Sequence, residues 1–110
     1  EVFSTPADLC KIPRLLMNDG ISDSGERILS ENSVQEMLTP HISRENDDHH
    51  DLGIHIRNFE GMCLYGHTGW LPPYRASIYF EAEQSLGIAI ALNTDKPDIR
   101  EDIMRLILSK

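Results

Sequence analysis

The stretch Leu86-Gly87-Ile88-Ala89-Ile90-Ala91-Leu92 decides the fold class of this 110-residue chain. Its bulky residues alternate with glycine and alanine, so a β-strand here would have one bulky and one small face, both apolar. Such a strand is expected to be covered on both sides. An amphipathic segment follows from Pro97, and we expect this helix to approach the small face. Its expected apolar side consists of Ile99, Ile103, Leu106 and Ile107, opposite Arg100, Glu101, Asp102 and Arg105.

Period-two patterns upstream predict further strands of the same sheet. Apolar residues alternate with other residues from Leu52 to Arg57. The segment 58–61 is typical of a turn, and Met62 to Tyr65 is expected to run back as the partner strand. Another strand is expected from Tyr74 to Phe80. Together these segments predict an antiparallel sheet.

The N-terminal part of the chain predicts helices. Thr5 and Ser30 are expected N-caps, and Pro13 should kink the first helix because it removes one backbone hydrogen bond. The polar stretch from His41 to Asp51 is expected to be an exposed loop. The prediction is an α+β fold, an antiparallel sheet with flanking helices, in a single domain over residues 1–110.

Charge and composition narrow the possible partners. The formal net charge is −8, which argues against nucleic acid because phosphates are bound through Lys and Arg. No apolar run approaches the ~20 residues that span a bilayer. Cys10 and Cys63 are expected to be free, buried thiols. Since the chain begins with Glu1 rather than methionine, we expect an excised or processed segment.

The segment Tyr65-Gly66-His67-Thr68-Gly69 is the best candidate for chemistry. On a strand edge, the imidazole supplies positive charge or a donor, and the hydroxyl bonds a carboxylate. The glycine lets a ligand lie against the backbone. This combination suits an anionic acyl substrate. The alternative is a turn in which the His and Thr side chains are only solvated.

A second cluster has the composition of a metal site. Asp47-Asp48-His49-His50-Asp51 lies close to His55 in the sequence. Adjacent residues of a loop rarely converge on one ion, and no H-x-x-x-H spacing is present. We therefore expect a solvated acidic loop and no metal. A metal-binding protein that uses His49 and His50 is kept as a third possible function.

Four segments occur in an order typical of one protein family: Phe3-Ser4-Thr5-Pro6-Ala7-Asp8-Leu9, Met37-Leu38-Thr39-Pro40-His41, Tyr65-Gly66-His67-Thr68-Gly69, and Ser77-Ile78-Tyr79-Phe80 with Leu86-Gly87-Ile88. In this order the chain resembles the C-terminal part of the serine β-lactamase family. That family includes class C β-lactamases, D-alanyl-D-alanine carboxypeptidases and related esterases. The resemblance implies a partial β-lactamase/transpeptidase-like fold and the C-terminal segment of a larger serine hydrolase domain.

The resemblance also implies a role for each residue of the motif. Family members combine S-x-x-K, Y-x-N or Y-x-S, and K-T-G or H-T-G, and only the third motif is present here, as His67-Thr68-Gly69. His67 would be catalytic, while Thr68, Gly69 and Trp70 would bind substrate. Thr68 would hold the substrate carboxylate, and the Trp70 N–H would form half of an oxyanion hole. Trp70 departs from the family, which usually has a small residue at this position.

The missing motifs set the expected activity. Without S-x-x-K the chain lacks the nucleophile, so it should be inactive alone, and only the intact parent would be a serine hydrolase. The parent would act on a β-lactam, a D-Ala-D-Ala peptide or a small ester, with no cofactor. It would be periplasmic or extracellular if it follows the family. The alternative function is a non-catalytic β-lactamase-like module that binds a peptide or partner through its sheet edge.

The last expectation concerns association. In the family, an N-terminal strand pairs with the strand that corresponds to Leu86–Leu92. Without it, this strand would be an open edge, and its bulky face would lose its cover. We therefore expect a homodimer or a complex with the missing N-terminal part.

Overall fold

The computed structural model describes residues 2–40 and 49–109 of the chain, and it confirms the predicted α+β architecture. The described elements are, in order, α1 (Pro6–Leu9), α2 (Lys11–Met17), α3 (Glu31–Leu38), β1 (His49–Asp51), β2 (Ile54–Phe59), β3 (Met62–Leu71), β4 (Tyr74–Glu81), β5 (Leu86–Leu92) and α4 (Arg100–Leu108). The strands form one antiparallel sheet in chain order, from β1 to β5. No described helix is long and apolar enough to cross a membrane.

Two-residue turns join the first three strands. Leu52 and Gly53 connect β1 to β2, and Glu60 and Gly61 connect β2 to β3. All four residues have positive φ, between 39° and 87°, which is the geometry of tight hairpin turns. Leu52, expected to begin a strand, therefore lies in a turn. His49–Asp51, expected in an exposed loop, instead pairs with β2; residues 41–48 of that expected loop lie outside the described residues.

The N-terminal helices have the expected N-caps and the expected interruption near Pro13. The Asp8 N–H donates to the Thr5 hydroxyl at 3.2 Å, and the Ser33 N–H donates to the Ser30 hydroxyl at 3.0 Å. The expected first helix is divided at Cys10 into α1 and α2. The break lies three residues before Pro13, whose ring cannot accommodate a continuous helical turn on its N-terminal side.

One face of the sheet is covered by α4. A buried cluster joins this helix to four strands through Phe59, Leu64, Tyr79, Ile88, Ile90, Met104 and Leu108. The bulky face of β5 is therefore covered, and the expectation that it would lose its cover is wrong. Ile88 and Ile90 are each only 7% exposed. Large side chains on the strand and on the helix bury more apolar area together than either would against a small face.

The opposite face is covered by the N-terminal helices. Its buried cluster consists of Leu16, Val34, Ile54, Ile56 and Phe80. The small face of β5 does receive a helix, but this helix is α2 rather than α4. A Cβ atom on Gly87 would lie 3.1 Å from the Cβ of Pro13. The glycine therefore lets the kinked helix approach the strand closely.

The buried side of α4 differs from the expected one. Ile99, Leu106 and Ile107 are exposed, whereas Arg100, expected on the outer side, is buried. The helix also begins at Arg100 rather than at Pro97. Helical periodicity shows which residues share a face of the helix. It does not show whether other segments supply the hydrogen-bond acceptors that a buried guanidinium needs in place of water. The two cysteines are free as expected, but neither is fully buried, since Cys10 is half-buried and Cys63 is exposed.

Arg100 fastens the start of α4 to the centre of the sheet. Its guanidinium donates to the Ala76 carbonyl at 2.6 Å and to the Ser77 hydroxyl at 3.2 Å. It also donates to both carboxylate oxygens of Asp98, each at 2.9 Å. These bonds lower the pKa of Asp98 from its ordinary 3.8 to about 2. The buried charge is thus paired and hydrogen-bonded, as burial requires.

Tyr79 and Gly66 meet at the centre of the sheet. Gly66 pairs with Tyr79 across β3 and β4, and the Tyr79 side chain is only 1% exposed. A Cβ atom on Gly66 would overlap the Ile78 carbonyl oxygen and lie 2.6 Å from Tyr79 Cδ1. Since the first obstacle is backbone, only glycine fits at this position.

We expect Gly66→Ala to lower the free energy of unfolding by about 2 kcal/mol because the added methyl displaces packed backbone. Gly69→Ala is the matched control on the same strand, since a Cβ at Gly69 would meet nothing within 4 Å among the described residues. Urea unfolding of the chain measures both variants. Equal losses of stability would contradict the proposed close contact.

The Asp98 pair predicts an acid-dependent part of the stability. Because the folded-state pKa is depressed, this contribution is complete above the ordinary value of 3.8 and is lost as the pH falls through about 2. Asp98→Asn should therefore make stability less dependent on pH between those values. The control is Asp23→Asn, which removes an equal charge from an exposed pair. Unfolding curves at several pH values test this, and an unchanged slope in Asp98→Asn would refute it.

Candidate functional site

The predicted motif lies on an open edge of β3. Pairing between β2 and β3 ends at His55 and Gly66, whereas β4 pairs with β3 as far as Leu71. In the part of the chain that the structure describes, His67–Leu71 therefore has a strand partner on one side only. The strand also extends beyond its expected end at Tyr65. As a result, the whole motif is held on extended backbone rather than in a loop.

His67 is exposed, and its tautomer follows from one contact. Its Nδ1 atom lies 2.6 Å from the Thr68 carbonyl oxygen. A carbonyl oxygen only accepts, so Nδ1 carries the hydrogen and donates it. In the neutral ring the lone pair is then on Nε2. Such an imidazole is suited to accept a proton, or to donate one once it is charged.

The three residues after His67 lie side by side along the same edge. Thr68, Gly69 and Trp70 are all exposed, and no described atom occupies the space into which a Cβ of Gly69 would project. Trp70 is 61% exposed. The Arg75 guanidinium lies 4.7 Å from the centre of its ring, which is within cation–π range. The structure thus brings all four predicted site residues together on one strand.

The back of the motif is supported by a residue that the sequence analysis assigned to the surface. Arg100 donates to the Gly69 carbonyl at 3.3 Å, in addition to its bonds with β4. Asp98 pairs with Arg100 and also with Arg75, at 2.9 and 3.3 Å. Arg75 in turn contacts Trp70. One carboxylate therefore links the start of α4 to β4 and, through Arg75, to Trp70 on β3. No sequence pattern indicated this arrangement.

Two further histidines lie next to His67. The rings of His50 and His55 are stacked with centroids 4.0 Å apart, and the centroids of His50 and His67 are 6.1 Å apart in an edge arrangement. His55 Nδ1 lies 2.7 Å from the Tyr79 hydroxyl. The sequence contains a signal for the closeness of His55 to the motif, because a two-residue turn at Glu60-Gly61 places His55 opposite Gly66.

The arrangement of the imidazoles in the described part of the chain does not favour a shared metal ion. Within residues 2–40 and 49–109, no group of three or more possible ligands is arranged to hold an ion. Stacked rings present their faces to each other, while metal ligation uses nitrogen lone pairs in the ring plane. Asp47 and Asp48, the other members of the suspected cluster, lie outside the described residues.

A largely apolar pocket adjoins the motif. Its volume is about 640 Å³. Its lining residues come from the N-terminal segment, the β3–β4 turn region and the end of β5: Val2, Phe3, Ser4, Leu9, Gly69, Trp70, Leu71, Tyr74, Arg75, Ala76, Ala91 and Leu92. Tyr74 lines this pocket and is 58% exposed. A ligand on the β3 edge would lie beside this pocket.

Comparisons with known proteins agree with the fold and the resemblance. No family model matches the sequence, and neither does any curated protein. Among solved structures, the chain is similar to the octameric penicillin-binding protein homologue from Pyrococcus abyssi, with a TM-score of 0.73 and 25% sequence identity. The match covers 94% of this chain and 24% of that one, so the chain spans about a quarter of that protein's length. The likeness supports a penicillin-binding protein or β-lactamase-like relationship.

Proposed function

We propose that this chain supplies the substrate-anchoring H-T-G segment of a penicillin-recognising serine hydrolase and is inactive alone. The observation that carries the proposal is the open β3 edge, on which His67, Thr68, Gly69 and Trp70 are adjacent and exposed. Preorganised donors on a rigid strand are the usual means of binding an acyl group and its developing charge. The likeness to a penicillin-binding protein homologue supports the same class of chemistry.

Each residue has a distinct proposed role. His67, with its lone pair on Nε2, relays a proton, and the Thr68 hydroxyl binds the substrate carboxylate. The Trp70 N–H provides one oxyanion donor, and the second donor comes from the nucleophile of the complete site. That nucleophile is absent here, because no serine in this sequence is followed three residues later by lysine. The chain therefore binds and orients substrate, and the bond-breaking serine is supplied by another segment.

The chemistry of the edge favours an anionic acyl substrate. The chain has a net charge of −8, yet two arginines, Arg75 and Arg100, lie against the motif and the imidazoles of His50 and His55 lie next to His67. The carboxylate beside them, Asp98, is already paired with both arginines. An extended backbone edge also suits a peptide-like ligand, which can pair with it as an additional strand. A β-lactam, a D-Ala-D-Ala peptide or a small ester has the required acyl group. No cofactor enters this proposal.

Assembly is the second part of the proposal. Among the described strands, β5 pairs only with β4, so its other edge is open. The edge carries no charged side chain from Leu86 to Leu92, and such edges pair readily with another strand. We propose that this edge pairs in a homodimer or with the N-terminal part of the complete hydrolase. A non-catalytic module would use the same edges for a peptide partner, and an upstream segment without S-x-x-K would favour that alternative.

The first functional prediction is that the isolated chain does not turn over a chromogenic β-lactam or a p-nitrophenyl ester. In the longer protein that carries the upstream motifs, His67→Ala should lower kcat/KM by about 10²-fold, the usual scale for one catalytic polar group. His49→Ala is the control, because His49 lies on β1 and outside the motif. A rate that remains with the isolated chain through repurification, or unchanged kinetics in His67→Ala, would refute the proposal.

The prediction for assembly uses an exposed position on β5. Ala91→Lys places a charge on the open edge and should shift the protein toward monomer, or weaken its complex with the N-terminal part. Ala82→Lys adds the same charge at an exposed position outside the strands and should change nothing. Sedimentation velocity measures both variants. A wild-type chain that is monomeric at high concentration and binds no N-terminal part would contradict the assembly proposal.

A further inference from the structure

The rings of His55, His50 and His67 form a row of successive contacts at the motif. His50 lies on β1, His55 on β2 and His67 on β3, so three neighbouring strands each contribute one ring. His50 and His55 are parallel within 12°, and His50 and His67 are nearly perpendicular at 87°. His50 is thus in contact with both other rings, and it connects His67 to His55 on β2.

The far end of the row is fixed in the core. The hydroxyl of Tyr79, a residue that is 1% exposed, lies 2.7 Å from His55 Nδ1. Arg57 lies beside the Tyr79 ring, 5.7 Å from its centroid, and holds the Glu101 carboxylate through two bonds of 2.8 and 3.0 Å. The hydrogen bond with Glu101 raises the pKa of Arg57 against the opposing effect of burial. The buried Tyr79 therefore holds His55 in place, and Tyr79 itself lies beside an ion pair to α4.

We propose that His50 and His55 are positioning residues for His67. Their rings restrict rotation of the exposed His67 side chain and keep its Nδ1–H on the Thr68 carbonyl. Among the described residues, the His67 imidazole makes only this one hydrogen bond. A bond to an adjacent carbonyl does not by itself prevent an exposed ring from flipping, since water offers the same partners. The packed row supplies the missing constraint.

The consequence for chemistry rests on the proposed function. A catalytic imidazole must present the correct nitrogen to the reacting group, and a ring that exchanges between tautomers does so only part of the time. With Nδ1 held on the backbone, the lone pair of the neutral ring is always on Nε2. His50 and His55 would then act on the reaction only through His67, without touching substrate.

The test is performed on the isolated chain, by long-range proton–nitrogen correlation NMR of the His67 ring at about pH 8, where a free imidazole is neutral. We expect two widely separated ring-nitrogen shifts, with the protonated-type shift on Nδ1. In His50→Ala and His55→Ala the two shifts should converge, because the ring then exchanges between tautomers. His50→Phe retains a flat ring in both contacts and should keep the wild-type separation.

Tyr79→Phe and His49→Ala complete the set. Tyr79→Phe removes only the hydroxyl that holds His55 and should produce partial convergence, while His49→Ala should leave the His67 shifts unchanged. Converged shifts in the wild-type chain would overturn the proposal without any variant. Full separation in the well-folded alanine variants, or its loss in His50→Phe, would also overturn it. The experiment measures no turnover, so its failure is distinct from that of the proposed hydrolase function.

Discussion

The contact between the Tyr79 ring and the backbone of Gly66 is the constraint on which the rest of the structure depends. The contact lies where β3 and β4 pair at the centre of the sheet. Any side chain on residue 66 would collide there with the backbone of β4. The same ring belongs to the core beneath α4. Its hydroxyl reaches His55 at the surface. One residue pair therefore connects the buried cluster to the open edge that carries the motif.

The second constraint is electrostatic. Burial of an unpaired guanidinium costs several kcal/mol or more, so Arg100 is stable only because carboxylate, carbonyl and hydroxyl acceptors surround it. These acceptors come from the loop before α4 and from β4, and a weaker bond reaches the Gly69 carbonyl. The start of the helix is thereby fixed relative to the motif. The carboxylate of Asp98 extends this support to Arg75 and, through Arg75, to the indole of Trp70.

This arrangement is consistent with a segment that binds substrate for a complete serine hydrolase. Groups that anchor a substrate must be rigid. The residues proposed for this role lie on a strand that is paired on one side and supported from behind by α4. Among the described strands, none pairs with the other side of this segment of β3. The open edge of β5 has a different character, since its side chains are small or apolar and uncharged. We propose that the first edge binds substrate and that the second completes the sheet.

Residue patterns were sufficient for elements whose causes are local. The alternation in Leu86–Leu92 predicted a strand that the structure has with the same bounds, because strand periodicity depends only on the chain's own geometry. The caps at Thr5 and Ser30 and the break before Pro13 were equally predictable. The residues His67, Thr68, Gly69 and Trp70 were also grouped correctly because they are adjacent in the sequence, although the strand that carries them was expected to end at Tyr65.

Tertiary structure alone decided the contacts between distant segments. The two faces of β5 are covered by different helices, α4 on the bulky face and α2 on the small face. This choice depends on how much apolar area each helix–strand pairing buries. Helical periodicity predicted an exposed Arg100, because a pattern within one segment contains no information about hydrogen-bond acceptors on a distant strand. His50, His55 and Tyr79 meet only through the register of four strands. Local patterns were thus enough to predict β2, β4 and β5 and to single out the motif. The strand β1, the second half of β3 and the groups that support the motif depend on long-range packing and hydrogen bonding, which no local pattern encodes.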